Sequence, residues 1–156
     1  MSPASSIPIS LKINGRKHGF SAAVCDTLLD VLREKLGMAG TKKGCDMGAC
    51  GACTVLAEGR RIKSCLALAA SCDGRSITTI EGVGATDKLH LLQAAFIRHD
   101  ALQCGYCTPG QIMSALALLD EKPADLESIR EGMSGNLCRC GAYPNIVAAI
   151  AEVAGL

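Results

Sequence analysis

The chain has 156 residues, 49% apolar and 20% charged, with a formal net charge of +1, so it is a globular protein of one or two small domains rather than a disordered one. The balanced charge excludes the basic surplus of a nucleic-acid binder. Only 3% of residues are aromatic while ten are cysteine, so the core must be aliphatic, and cross-linking the thiols would add much to its stability.

In chain order, Ile7, Ile9, Leu11 and Ile13 alternate as a half-buried strand, Asn14-Gly15 supplies a hairpin turn, and a second strand follows over 16–21. Leu28, Leu32 and Leu36 share one helix face, with Asp26 or Thr27 placed to cap it and Gly37 to end it. Short strands are predicted over 54–57, 61–69 and 76–80, separated by Glu58-Gly59 and Asp73-Gly74. Two hairpins with a helix packed across them make a small α+β domain.

Residues 81–85 read as a linker, and the pattern changes after it. Leu89, Leu92 and Phe96 predict a helix from about Thr86. Ile112, Ala115, Leu116 and Leu119 predict a second, with Thr108 as N-cap and Pro109 at its first position. Leu126, Ile129 and Met133 predict a third; Ile146, Ala149, Ile150 and Val153 predict a fourth, opened by Pro144. The order helix, Cys pair, helix occurs twice. It suggests two hairpins related by an approximate twofold, with four thiols gathered between them.

The longest uncharged stretch, 101–119, is broken by Gln103, Gly105, Pro109, Gly110 and Gln111, so no transmembrane helix is expected. The first residues show no charge before Lys12 and no apolar run suited to an export signal, and a cytoplasmic location is the expectation. There, ten cysteines point to metal or redox chemistry rather than to disulfides. Up to residue 80, eleven Lys and Arg face six Asp and Glu; from residue 81, five face nine. Two ordinary solvated faces account for this as well as two faces meant for different partners.

Cys45, Cys50 and Cys53 have the spacing C-x4-C-x2-C, and Cys65 follows. This is the plant-type [2Fe–2S] spacing: four thiolates must converge on two irons, so three come from one loop. Gly44, Gly48 and Gly51 are spread through that loop, where backbone N–H groups can approach the sulfurs. Zinc knuckles more often use two separated pairs. Cys104 and Cys107 form C-x2-C, and Cys138 and Cys140 form C-x-C. Taken alone, this second set suits zinc and [2Fe–2S] equally. The companion set in the same chain favours a second iron–sulfur centre, and two such centres make an electron relay.

Three stretches carry a resemblance: Gly44 to Cys53 (GCDMGACGAC), Gln103 to Gly110 (QCGYCTPG) and Ser134 to Tyr143 (SGNLCRCGAY). In that order they resemble the motifs of the xanthine oxidase and aldehyde oxidoreductase family of molybdenum hydroxylases, in the form of the separate iron–sulfur subunit of bacterial heterotrimers. The similarity runs from about Ile9 to Ala151. It implies a plant-type ferredoxin-like β-grasp domain over 1–84, then a four-helix, pseudo-twofold [2Fe–2S] domain over 85–156. It implies a large partner subunit holding molybdopterin, a medium one holding FAD, and oxidative hydroxylation with oxygen from water. The Cys104, Cys107, Cys138 and Cys140 centre would lie nearer molybdenum, and the Cys45, Cys50, Cys53 and Cys65 centre nearer FAD. Gln103 matches the family glutamine that contacts the pterin, and Cys140 the ligand closest to the pterin amino group. One departure is the Gly-Ala-Tyr after Cys140, where many members have Thr-Gly-Tyr.

The remaining candidates are weaker. Cys25 and Cys72 fall outside both sets and are expected to be small buried hydrophobes. His18, His90 and His99 are not needed as ligands, since both sets are complete without them. Tyr106 is expected to shield a centre, and Arg139 suits either a hydrogen bond to sulfur or a pair across an interface. The leading expectation is the electron-transfer subunit of an aldehyde-oxidising molybdenum hydroxylase. A hydroxylase of N-heterocycles, a free-standing ferredoxin-like carrier and a zinc-stabilised interaction module are the alternatives.

Overall fold

The computed structural model describes residues 5–85 and 87–156. β1 (Ser6–Ile13) and β2 (Arg16–Ala23) pair antiparallel, with Ser6 opposite Ala23 and Ile13 opposite Arg16. The turn holds Asn14 and Gly15 at φ 49° and 83°, the two positive values that a tight hairpin matched to strand twist requires. β3 (Thr54–Ala57) and β4 (Arg60–Lys63) form the second hairpin. β5 (Ser76–Thr78) lies between the hairpins, parallel to β1 and antiparallel to β3, giving one mixed sheet in the order β2-β1-β5-β3-β4.

α1 (Leu28–Asp30) is capped by Thr27, whose Oγ1 accepts from the Asp30 N–H at 3.1 Å. Asp26 does not cap; its carboxylate accepts from the Ala23 N–H instead. The helix loosens at once into a π-helical turn, Val31–Lys35, which closes before Gly37 at φ 67°. Leu28, Val31 and Leu32 pack against Ile9, Leu11, Ile13, Val55 and Ile77 as the first core. Each such side chain contributes about 1.5–3 kcal/mol relative to exposure.

The strand predicted over 61–69 ends at Lys63. The Leu66 N–H folds back to the Lys63 carbonyl, and the carbonyls of Ser64 and Ala67 accept from Leu29 and Leu28. These bonds draw the segment away from the sheet and toward α1, which leaves Cys65 beside Cys53. β5 likewise stops at Thr78, and Ile80–Gly82 is a 3-10 turn rather than plain linker.

The second half holds α2 (Leu91–Arg98), α3 (Thr108–Asp120), α4 (Leu126–Met133) and α5 (Tyr143–Ala154). α2 begins later than expected because His90 is its cap: the ring Nδ1 accepts from Leu92 N–H, and the Gln93 side chain accepts from His90 N–H. Leu89 precedes the helix and is exposed, and Thr86 lies outside the described residues. Thr108 is the first helical residue of α3, not its cap; Cys107 holds the cap position, and Pro109 stands in the first turn. Leu92, Phe96, Ile112, Met113, Ile129 and Ile150 meet in a second core. The run Gly110 to Ala115 is buried on every side because α3 lies between β3 and the other helices.

The halves meet along a polar seam. Arg61 on β4 reaches Glu121 at 3.0 Å and the Gly132 carbonyl at 2.7 Å, and Lys63 reaches the Gly135 carbonyl at 2.8 Å. Part of the opposite charge of the two halves is therefore neutralised within the chain.

Candidate metal centres

Both sets of thiols assemble, and they do so in pairs. Cys53 and Cys65 Sγ are 3.3 Å apart and buried. Ser64, fully buried between them in the fold, fixes this pair: its hydroxyl and its N–H both donate to the Cys53 carbonyl, at 2.7 and 3.3 Å. Cys45 and Cys50 form the other pair of that set. Cys45 Sγ accepts from the Cys50 N–H at 3.3 Å and the Met47 N–H at 3.5 Å.

In the second set, Cys107 lies against Cys138 and Cys104 against Cys140. All four, with Cys50, Arg139 and the two tyrosines Tyr106 and Tyr143, line one cavity of about 570 Å³. Cys138 Sγ accepts from the Ala142 N–H at 3.4 Å, and the Cys138 N–H donates to the Tyr143 hydroxyl at 2.8 Å. The Tyr106 hydroxyl donates across to the Lys43 carbonyl at 2.8 Å, so Tyr106 forms part of one wall of this cavity. Another groove of about 630 Å³ runs between α4 and α5 and is lined by no cysteine.

The four thiols of each set are electrostatically unequal. The Met47 and Cys50 amides bring the Cys45 thiol down to about 7. The Tyr106 amide, and then Cys140, lower Cys104. Burial first, then the neighbouring thiol of Cys53, pushes Cys65 up to about 11. Burial and Cys138 do the same for Cys107, also to about 11. Each set thus has an open side with amide donors and a more buried side, where Cys65 and Cys107 give up their protons less readily.

The donor set fits a two-iron cluster. Among the described residues, no three Cys, His, Asp or Glu side chains converge as the ligands of one metal ion do. A zinc site would draw four thiolates to one point; a [2Fe–2S] cluster takes two per iron, which matches the pairing seen in both sets. All ten cysteines are free thiols.

Gln103 lies at the open edge of the second set, its Nε2 donating to the Cys140 carbonyl at 3.3 Å. Cys72 is buried as expected, but Cys25 is exposed: it stands in the loop between β2 and α1, outside the first core. The histidines stay away from both sets; His99 pairs with Glu152 on α5. Sequence reasoning missed Ser64 and Asn136. Asn136 is buried, and its side chain touches the backbone of the first cysteine loop.

A family model for the 2Fe-2S iron-sulfur cluster binding domain matches residues 11–76, and one for the [2Fe-2S] binding domain matches 79–151. The aldehyde oxidoreductase iron-sulfur-binding subunit PaoA of Escherichia coli K12 is 54% identical over 96% of this chain and 72% of its own length. The nicotine 6-hydroxylase small subunit of Paenarthrobacter nicotinovorans is 46% identical over 99% of this chain and 93% of its own. Among solved structures, quinoline 2-oxidoreductase from Pseudomonas putida 86 superposes with a TM-score of 0.90 at 45% identity, covering 96% of this chain and 93% of that one. The aldehyde oxidoreductase of Desulfovibrio desulfuricans ATCC 27774 also gives 0.90 at 41% identity, where the match covers 95% of this chain and 17% of that longer one. Fold, thiol sets and both domain models define an iron–sulfur protein with two [2Fe–2S]-binding domains. The chain belongs to the iron–sulfur subunit family of the molybdenum hydroxylases, alongside the small subunits of aldehyde oxidoreductase and of xanthine and nicotinate dehydrogenases.

Proposed function

We propose that this chain is the electron-transfer subunit of a molybdenum hydroxylase, relaying electrons from a large molybdopterin-bearing subunit to a medium FAD-bearing one. The observation that carries this reading is the arrangement of eight thiols as two sets of two pairs in one small chain. Each bound cluster would supply a one-electron carrier.

Cys45, Cys50, Cys53 and Cys65 are the ligands of one centre, in a ferredoxin-like β-grasp domain over 1–84. Cys104, Cys107, Cys138 and Cys140 are the ligands of the other, in a four-helix, pseudo-twofold domain over 85–156. The amides of Met47, Cys50, Tyr106 and Ala142 stabilise thiolate charge on the open sides. Gln103 and the outer face of Cys140 present the second centre to the pterin. Met47 and Leu66, 71% and 65% exposed, flank the first loop and offer apolar contact to the flavin subunit.

Oxidation of aldehydes to carboxylic acids is the favoured reaction, on the 54% identity to the PaoA subunit against 46% to the nicotine 6-hydroxylase subunit. No helix among the described residues is long and apolar enough to cross a membrane. The test is co-purification of the tagged full chain from its own cells. Recovery with two larger subunits, one containing molybdenum and the other FAD, is expected; recovery of the chain alone, replete with iron, would instead mark a free-standing carrier.

A further inference from the structure

Asn136 stands two residues before Cys138, is 6% exposed, and belongs to neither set of thiols. Its side-chain amide donates to the Gly51 carbonyl at 3.2 Å and to the Gly110 carbonyl at 3.0 Å. Its Oδ1 accepts from the Ser114 hydroxyl at 2.7 Å, and its main-chain carbonyl accepts from the Gln111 side chain at 3.0 Å. The next amide, on Leu137, donates to the Cys50 carbonyl at 2.8 Å.

An asparagine that shapes a turn bonds to backbone within its own segment. This one reaches a residue 85 positions away in the first cysteine loop and another 26 positions away in the helix that follows Cys107. The contact is built for close approach: a Cβ on Gly51, which holds φ 77°, would lie 2.6 Å from the Gly135 carbonyl and 2.7 Å from Asn136 Nδ2. Carbonyl oxygens from two halves crowd this dry spot, and only a neutral side chain with two N–H donors and one acceptor satisfies them together with Ser114.

We propose that Asn136 is a positioning residue for electron transfer between the two centres, holding the Cys50–Cys53 loop at a fixed separation and orientation from Cys107 and Cys138. The proposal rests on the assignment of both thiol sets as [2Fe–2S] ligands. Asn136 bonds to no thiol of either set; its side-chain amide runs to the backbone beside each, at Gly51 in the first cysteine loop and at Gly110 after Cys107. What Asn136 ties is one set to the other.

The experiment uses the full chain loaded with iron and sulfide, as wild type, Asn136→Ala and Ser114→Ala. The readouts are metal content and the magnetic interaction between the two centres in the fully reduced protein, seen as splitting of the low-temperature resonance. A dipolar interaction falls with the cube of separation, so it reports placement and is blind to turnover. Iron-replete Asn136→Ala is expected to show splitting reduced several-fold with the individual signals intact, and Ser114→Ala a smaller reduction. Unchanged splitting in iron-replete Asn136→Ala would overturn the proposal. Should Asn136→Ala lose iron, Ser114→Ala decides: reduced splitting supports the role and wild-type splitting overturns it. A wild-type chain without about four irons and four sulfides would strike at the ligand assignment itself, not at Asn136.

Discussion

Cys45 and Cys65 belong to one set yet lie on opposite sides of their ordinary thiol range, one down to about 7 and the other up to about 11. The cause is where the chain puts them: Cys45 near amide donors in an open loop, Cys65 in a dry pocket beside Cys53. Cluster binding at this set would displace a proton from Cys65. Away from the centres, Glu152 on α5 ties α2 to α5. The Arg98 guanidinium, and next the His99 ring, hold its carboxyl below the ordinary 4.5. A carboxyl lowered in the folded state adds stability above its unfolded value and loses that contribution as pH falls through the folded one. Glu152→Gln should therefore melt earlier than wild type at neutral pH, and the gap should close well below pH 4.5. A gap that persists there would mean the loss is packing rather than charge.

Among the elements, α3 does the most to join the halves, because its first turn lies directly on the first cysteine loop. A Cβ on Gly110 would come within 2.9 Å of the Ala52 Cα and also strike the Gly51 carbonyl. Gly110→Ala should lift this turn from the loop at a cost of about 1–3 kcal/mol, read as a lower midpoint in urea denaturation of the loaded protein. An unchanged midpoint would show that the seam yields without strain. The elements legible in the sequence are those set by neighbours in the chain: the β1–β2 hairpin through its alternation and Asn14-Gly15, and α4 and α5 through their periodicity. The structure departs from the sequence pattern where distant bonds or an unusual local cap decide. Residues 64–69 have strand-like composition, but Leu28 and Leu29 take their carbonyls. α2 starts late because a histidine caps it, which side-chain preference does not favour. The grouping of eight cysteines into two sets was legible from spacing alone. Their pairing was not, nor was Asn136, since its side-chain partners come from other segments of the chain.

In the whole molecule, the basic surplus up to residue 80 and the acidic surplus after it suit two ordinary solvated faces as well as two faces for different partners. The structure gives part of them to each other through Arg61 with Glu121, beside a bond from Lys63 to the Gly135 carbonyl just past α4. Such exposed pairs contribute only about 0.2–1 kcal/mol each and weaken with salt. The stronger tie is the buried one through Gly51, Gly110 and Asn136, which joins the backbone beside the two thiol sets. The chain carries two separate [2Fe–2S] centres, one in each domain. Iron and acid-labile sulfide analysis of the full chain, beside Cys53→Ser and Cys107→Ser, tests it most directly. Wild type should hold about four irons and four sulfides, and each variant about half, losing a different one of two resonance signals. Stoichiometric zinc without sulfide, or either single substitution emptying both sets, would contradict it.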